Sequence, residues 1–120
     1  MTSWSIDSIS AVTLPVASMA ASVAFYQALG FDVSYGGAQA TFTTMRARES
    51  VVNLRRSEEP HAVACEHRVI LRVRGVDALY RVLVERGLVP TVPRDAEWGE
   101  RYCELRDPDG VVISLAEPRA

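Results

Sequence analysis

Cysteine is scarce in this chain: Cys65 and Cys103 are the only two, and they form no Cys-x-x-Cys pair. That excludes a scaffold of disulfides, and it leaves no spacing for a zinc ribbon or a dithiol redox centre. Both are read as reduced packing residues, because a buried cysteine without a neighbouring base behaves as a small hydrophobe. A basic excess is also missing. The 13 Lys plus Arg residues against 15 Asp plus Glu give a formal net charge of −2, which argues against nucleic acid as a partner. No apolar run approaches the roughly 20 residues that cross a bilayer, and the N-terminus lacks the basic stretch and apolar core of a secretory signal. The chain is therefore expected to be cytoplasmic, with no membrane partner. What remains is a sequence of 120 residues, 48% hydrophobic and 23% charged, the profile of one folded domain rather than of a disordered or coiled-coil chain. A chain of this length buries roughly two-thirds of its unfolded surface, enough for a core but not for separate catalytic and structural domains.

The main positive feature is an internal repeat. Laying Val16 over Val73, a shift of 57 residues, brings Val12 to Val69, Leu14 to Leu71, Gly30 to Gly87 and Phe31 to Leu88. Two copies are too few for a solenoid, so the repeat reads as a duplication inside one domain. Each copy starts with alternating apolar residues, Val12, Leu14 and Val16 or Val69, Leu71 and Val73, the period of a strand with one buried face. The opposite face, Ile9, Ala11 and Thr13 or Arg68, Ile70 and Arg72, is then available for function.

A helix follows each strand. The first is capped by Ser18 or Ser22, buries Val23, Tyr26 and Leu29, and stops at Gly30; the second spans Val76 to Arg86, buries Leu79, Val82 and Leu83, and stops at Gly87. Further strands are predicted at Asp32 to Tyr35, Gln39 to Met45 and Ser50 to Arg55, with Gly36-Gly37 as a turn. In the second copy they fall at Val89 to Val92, Arg101 to Arg106 and Val111 to Ala116. There Asp107-Pro108-Asp109-Gly110 has the proline and glycine placement of a hairpin turn. Polar Ser57 to Pro60 reads as the linker, dividing the single domain into a module at 1–57 and a module at 65–120.

This order, with Ser22, Phe25-Tyr26 and Leu29-Gly30-Phe31 in the first helix and Asp107-Pro108-Asp109-Gly110 before the last strand, resembles the glyoxalase / bleomycin resistance / extradiol dioxygenase superfamily over nearly the whole chain. More narrowly, the run from Val73 to Tyr80, together with Trp98-Gly99 and Arg106, is similar to the bleomycin resistance proteins and their drug-binding relatives. The resemblance implies an α+β fold of two tandem βαβββ modules, whose curved mixed sheets form a cup usually completed in a homodimer. In metal-dependent members, histidine or glutamine and glutamate side chains project into that cup from the first and last strands of each module. Here the four positions fall on Ala11, Asn53, Arg68 and Ser114. Alanine has no donor, the serine hydroxyl and asparagine amide are weak neutral donors, and arginine stays protonated. No metal or other cofactor is therefore expected. His67 would take a ligand position only by a slip of one residue, which would turn the whole strand inside out. His61, beside Pro60, reads as a loop residue.

Without a metal, the candidate lining is Asn53, Arg55, Arg68, Arg72 and Ser114, with Thr13 behind them. Arg55 and Arg72 are expected to pair with carboxylates such as Glu104 or Glu66, or to reach solvent. Arg68 offers a planar fork to a carboxylate, carbonyl or phenolate. Trp98, in the polar stretch Arg94 to Glu100, offers a flat face to a conjugated ligand or packs on the sheet edge, and Tyr35 lies in a region resembling the drug-lining part of the resistance proteins. Trp4 reads as part of an N-terminal arm that either crosses to a partner or is loosely held. The expected ligand-binding set is thus Trp98, Arg68, Asn53, Tyr35 and Glu104. The leading expectation is a non-catalytic dimer that sequesters a small hydrophobic or planar molecule such as an antibiotic. The alternatives are a lyase, isomerase or dioxygenase of the same superfamily, with a metal or through Glu104 and Arg68, and a purely structural or regulatory dimer.

Overall fold

The computed structural model describes residues 3–59 and 67–119. The first half runs β1 (Val12–Val16), α1 (Met19–Leu29), β2 (Asp32–Tyr35), β3 (Phe42–Ala47) and β4 (Ser50–Arg56). The second repeats the order as β5 (Arg68–Arg72), α2 (Val76–Glu85), β6 (Arg94–Asp95), β7 (Glu100–Arg106) and β8 (Val112–Pro118). Each half builds its own four-stranded sheet, β1-β4-β3-β2 and β5-β8-β7-β6. In both, the first strand runs parallel to the last and the remaining pairs are antiparallel. The fold is therefore α+β, two tandem βαβββ units with mixed sheets.

Strand alternation assigns the faces. Leu14, Val16, Met45, Val52 and Leu54 of the first sheet are buried, as are Cys103, Leu105, Ile113 and Leu115 of the second. Burial pushes the Cys103 thiol up to about 11, in keeping with a packing role. Val12 departs from expectation at 37% exposed, because α1 lies over β2, β3 and β4 and leaves the outer end of edge strand β1 uncovered. Val69, Leu71 and Val73 are only half-buried for a similar reason: α2 covers β7 and β8 rather than β5.

Of the two candidate caps, Ser18 starts α1, its Oγ accepting from the Ala21 N–H at 3.2 Å. Gly30 ends the helix at φ 124°, a conformation other residues adopt only with strain. The second helix has no side-chain cap of its own; instead Glu117 on β8 accepts from the Gly75 and Val76 N–H groups at 2.7 and 3.0 Å.

Two strand predictions are corrected. No strand forms over Val89 to Val92, because Pro90 and Pro93 lack the N–H groups a ladder needs. There Thr91 alone holds on to β7, its N–H donating to the Glu104 carbonyl at 2.8 Å and its hydroxyl accepting from the Glu104 N–H at 2.9 Å. The following short strand β6 lies instead at Arg94–Asp95. Strand β3 begins at Phe42 rather than Gln39, since the Gly36-Gly37 turn is prolonged by an Ala40-to-Gly37 hydrogen bond of 3.0 Å. A Cβ on Gly36 would sit 2.3 Å from the Phe42 carbonyl, so this turn admits only glycine. Strands β4 and β8 run on to Arg56 and Pro118, past the predicted ends. The linker is described to Glu59; His61, Cys65 and Glu66 lie outside the described residues.

The halves are joined through the Asp107-to-Val111 turn, which lies against α1 of the other half. Asp109 accepts from the Ala17 N–H at 3.0 Å and from the Ser22 hydroxyl at 3.5 Å, and Asp107 accepts from the buried Tyr26 hydroxyl at 2.8 Å. The other Asp107 oxygen takes the Asp109 and Val111 N–H groups at 3.0 and 2.9 Å. Burial raises the Asp107 carboxyl above its ordinary range, and these hydrogen bonds hold the rise down. Arg86, at the end of α2, adds a bond between the halves, to the Ala28 carbonyl of α1 at 2.8 Å.

Candidate functional site

Strand parity leaves one face of each sheet turned away from its helix, and four of the five predicted binding residues lie on these open faces. On the first sheet, Thr13, Asn53, Thr44 and Tyr35 form one cross-strand row. Thr44 donates to Asn53 Oδ1 at 2.8 Å, while Asn53 Nδ2 donates to Thr13 Oγ1 at a long 3.5 Å. The Asn53 amide is thus oriented by its neighbours. Tyr35, at the end of the row, is 66% exposed.

On the second sheet the equivalent row is Ile70, Ser114 and Glu104. Arg68, the next residue along the same face of β5, forms an ion pair with Glu104, and Ser114, in the middle of the row, is buried. The pairing foreseen for Arg55 or Arg72 therefore belongs to Arg68. Among the described residues neither Arg55 nor Arg72 joins an ion pair, and both are exposed. His67 precedes β5 with its side chain on the opposite parity from Arg68, and its carbonyl accepts from the Val112 N–H at 3.3 Å.

Trp98 sits in the turn between β6 and β7, 68% exposed, with its indole N–H donating to Glu100 at 2.7 Å. Its ring leans on Tyr102, centroids 5.7 Å apart at 33°. Arg94 lies 5.1 Å from the centre of the Tyr102 ring and donates from Nε to the Tyr102 hydroxyl at 2.8 Å. Tyr102 was missed in the sequence, although the parity of β7, with Cys103 and Leu105 inward, puts Tyr102 and Glu104 on the open face together. The platform is braced from below: Arg101 chelates Asp77 at 3.0 to 3.2 Å and reaches Asp95 at 3.1 Å, which ties α2 to β6 and β7. The guanidinium of Arg101 holds the Asp77 carboxyl below its usual range.

The structure thus brings Arg68, Glu104 and the Trp98–Tyr102–Arg94 cluster onto one sheet face and places Asn53 and Tyr35 on the other. The side chains at the four metal positions do not fit a divalent ion. Ala11 has no donor, the Asn53 oxygen is taken by Thr44, Ser114 is a buried neutral hydroxyl, and Arg68 carries a positive charge. Among the described residues no group of three or more His, Cys, Asp or Glu side chains is placed to hold a metal ion.

Comparison with solved structures supports the fold over nearly the whole chain. A bleomycin resistance determinant encoded on the transposon Tn5 is 20% identical with a TM-score of 0.80, covering 95% of this chain and 100% of that one. A bleomycin-binding protein solved with bleomycin is 20% identical with a TM-score of 0.77, covering 95% and 100%. TnmS3, an antibiotic binding protein from Streptomyces sp. CB03234, is 27% identical with a TM-score of 0.79, covering 96% and 98%. Comparison with curated protein sequences yields no match. The sequence pattern of one family spans residues 8–115, and with the duplicated fold it settles the assignment: the chain belongs to the Glyoxalase/Bleomycin resistance protein/Dioxygenase superfamily.

Proposed function

We propose that this chain is a non-catalytic binding protein, one domain of two modules, that sequesters a small hydrophobic or planar molecule of the antibiotic or natural-product class in a cup between two copies of itself. The observation that carries this reading is the exposed Trp98 ring on half-buried Tyr102, on the same sheet face as the Arg68–Glu104 ion pair. Two rings held by an arginine and a carboxylate offer apolar area at low entropic cost, and Arg68 supplies directional donors beside them. The donor set at the four metal positions favours binding over Lewis-acid chemistry. The antibiotic-binding role in the name of TnmS3 is in keeping with this reading.

The dimer is favoured by the shape of one chain. Its radius of gyration is 15.2 Å, against about 14 Å for a compact domain of this length, and the open faces of its two sheets lack a facing wall. Trp4, Ile6 and Ile9 of the N-terminal arm are also exposed, apolar surface suited to a second copy.

A thermal-shift screen of the purified protein against a natural-product library tests the reading. A planar, apolar hit is expected to bind stoichiometrically and unchanged, and Trp98→Ala is expected to weaken it by about tenfold or more. A divalent ion retained in stoichiometric amount after dialysis, or turnover of the hit, would overturn it.

A further inference from the structure

The duplication supplies an internal comparison that points to a second site, at the junction of the two halves and away from the Trp98–Tyr102 cluster. At one junction the Asp107-to-Val111 turn of the second half fills the space against α1, satisfying Ser22 and Tyr26 through Asp109 and Asp107. At the counterpart junction the register of the repeat puts Leu79 in place of Ser22 and Leu83 in place of Tyr26. The tight Arg48-Glu49 turn between β3 and β4 replaces the longer turn. Among the described residues nothing plugs this junction, and a cleft of about 760 Å³ remains, floored by Phe31, Val73, Leu79 and Leu115.

Charged side chains of both signs line the mouth. Arg48 and Arg72 line the cleft and also an adjoining one, where Arg74 joins them. Among the described residues none of the three takes part in an ion pair. Three carboxylates share the two clefts with these three arginines. Asp32 and Glu49 line the larger cleft, whereas the carboxylate of Glu117, in the smaller one, is already held by the Gly75 and Val76 N–H groups. Arg48 has a further peculiarity. It is the one non-glycine among the described residues with positive φ, 54°, a conformation an arginine adopts at a cost that glycine would avoid.

An apolar floor beside two guanidiniums that no carboxylate pairs among the described residues matches one class of ligand. We infer that the junction of the two halves binds an amphipathic carboxylate, its apolar body on Leu79, Phe31 and Leu115 and its carboxylate against Arg48 and Arg72, the two arginines that line both clefts. The planar guanidinium fork suits a carboxylate better than a neutral head group, and a desolvated apolar floor favours a chain or ring over an inorganic anion.

Calorimetric titration of the full chain with octanoate, with 1-octanol as the neutral probe, tests the site. Octanoate is expected to saturate one site per chain and to bind about tenfold more tightly than octanol, the difference made by one charge-assisted anchor. Arg48→Gly removes the guanidinium at a position whose backbone suits glycine, so the variant is expected to fold while losing about the same factor. Leu79→Trp, which fills the floor, is expected to abolish binding of both probes, and Trp98→Ala to leave octanoate binding unchanged. Equal affinity for octanoate and octanol, no saturable octanoate binding, or octanoate binding lost in Trp98→Ala but kept in Arg48→Gly would overturn the inference. The last outcome would place the ligand on the open face instead.

Discussion

At the residue scale, the most constrained polar group is Asp107, buried at the junction with every carboxylate oxygen engaged. Tyr26→Phe removes the only partner that one oxygen has among the described residues and is expected to cost about 1.5–3 kcal/mol in denaturant unfolding, the loss of a hydrogen bond to a buried charge. The pH dependence has a definite sign. The folded pKa of Asp107 is raised above its unfolded value near 4, so its contribution is fully present at low pH and is lost as pH rises through the folded value. Asp107→Asn is therefore expected to gain stability relative to the parent as pH rises from about 3 to 6, measured by urea melts across that range. Glu117 works in the opposite direction. The Gly75 and Val76 N–H groups lower its pKa, so its contribution is present above the unfolded value and lost as pH falls through the folded one. In Glu117→Gln the acid limb of the stability profile should flatten, which the same melts would reveal.

Arg48 carries the other residue-scale prediction. Replacing an arginine at φ 54° by glycine relieves backbone strain but adds freedom to the unfolded chain. The net change for Arg48→Gly is expected to be between about 0 and +1 kcal/mol of stabilisation by thermal unfolding, so the turn itself does not demand arginine.

At the scale of elements, the legibility of the sequence followed hydrogen-bond supply. Helices α1 and α2 and strands β1, β5 and β7 lie within a residue of where periodicity placed them, because alternation and helical stripes directly report which face is buried. Val89 to Val92 failed because its apolar content was weighed above its prolines, whose missing N–H groups matter more in a ladder. Removing a further donor at a position with room is a direct check. Pro90 and Pro93 are buried, so the change is confined to exposed Val92: Val92→Pro is expected to be tolerated within about 1 kcal/mol in chemical denaturation, whereas a true strand would lose more. The Asp107-Gly110 turn shows a different limit. Its glycine and proline announced a turn, but nothing local disclosed that Asp109 would receive the Ala17 N–H of the other half.

At the scale of the whole molecule, two side-by-side sheets leave their open faces and the N-terminal arm without a covering wall, the basis for reading the chain as half of a dimer. Light scattering coupled to gel filtration is expected to give twice the mass of one chain, and deletion of residues 1–10, which carry Trp4, Ile6 and Ile9, is expected to shift the equilibrium toward monomer. A monomer at micromolar concentration in the parent protein would count against the shared cup.

By itself the sequence determined the duplication, the α+β modules and the chemical poverty of the four metal positions. Each of these is written in residue identity or in a local period, and neither changes when the chain folds. It also marked Arg68, Asn53, Tyr35 and Glu104 as candidate binding residues by parity or by resemblance, and Trp98 as one in the loop before β7. Only the tertiary structure decided how they are used. It paired Arg68 with Glu104, added Tyr102 and Arg94 beneath Trp98, and oriented Asn53 between Thr13 and Thr44. It also plugged one junction with Asp107 and Asp109 while leaving its counterpart open. The reason is physical: a cross-strand or cross-module partner is set by register and packing between segments far apart in the chain, and no local pattern encodes that distance.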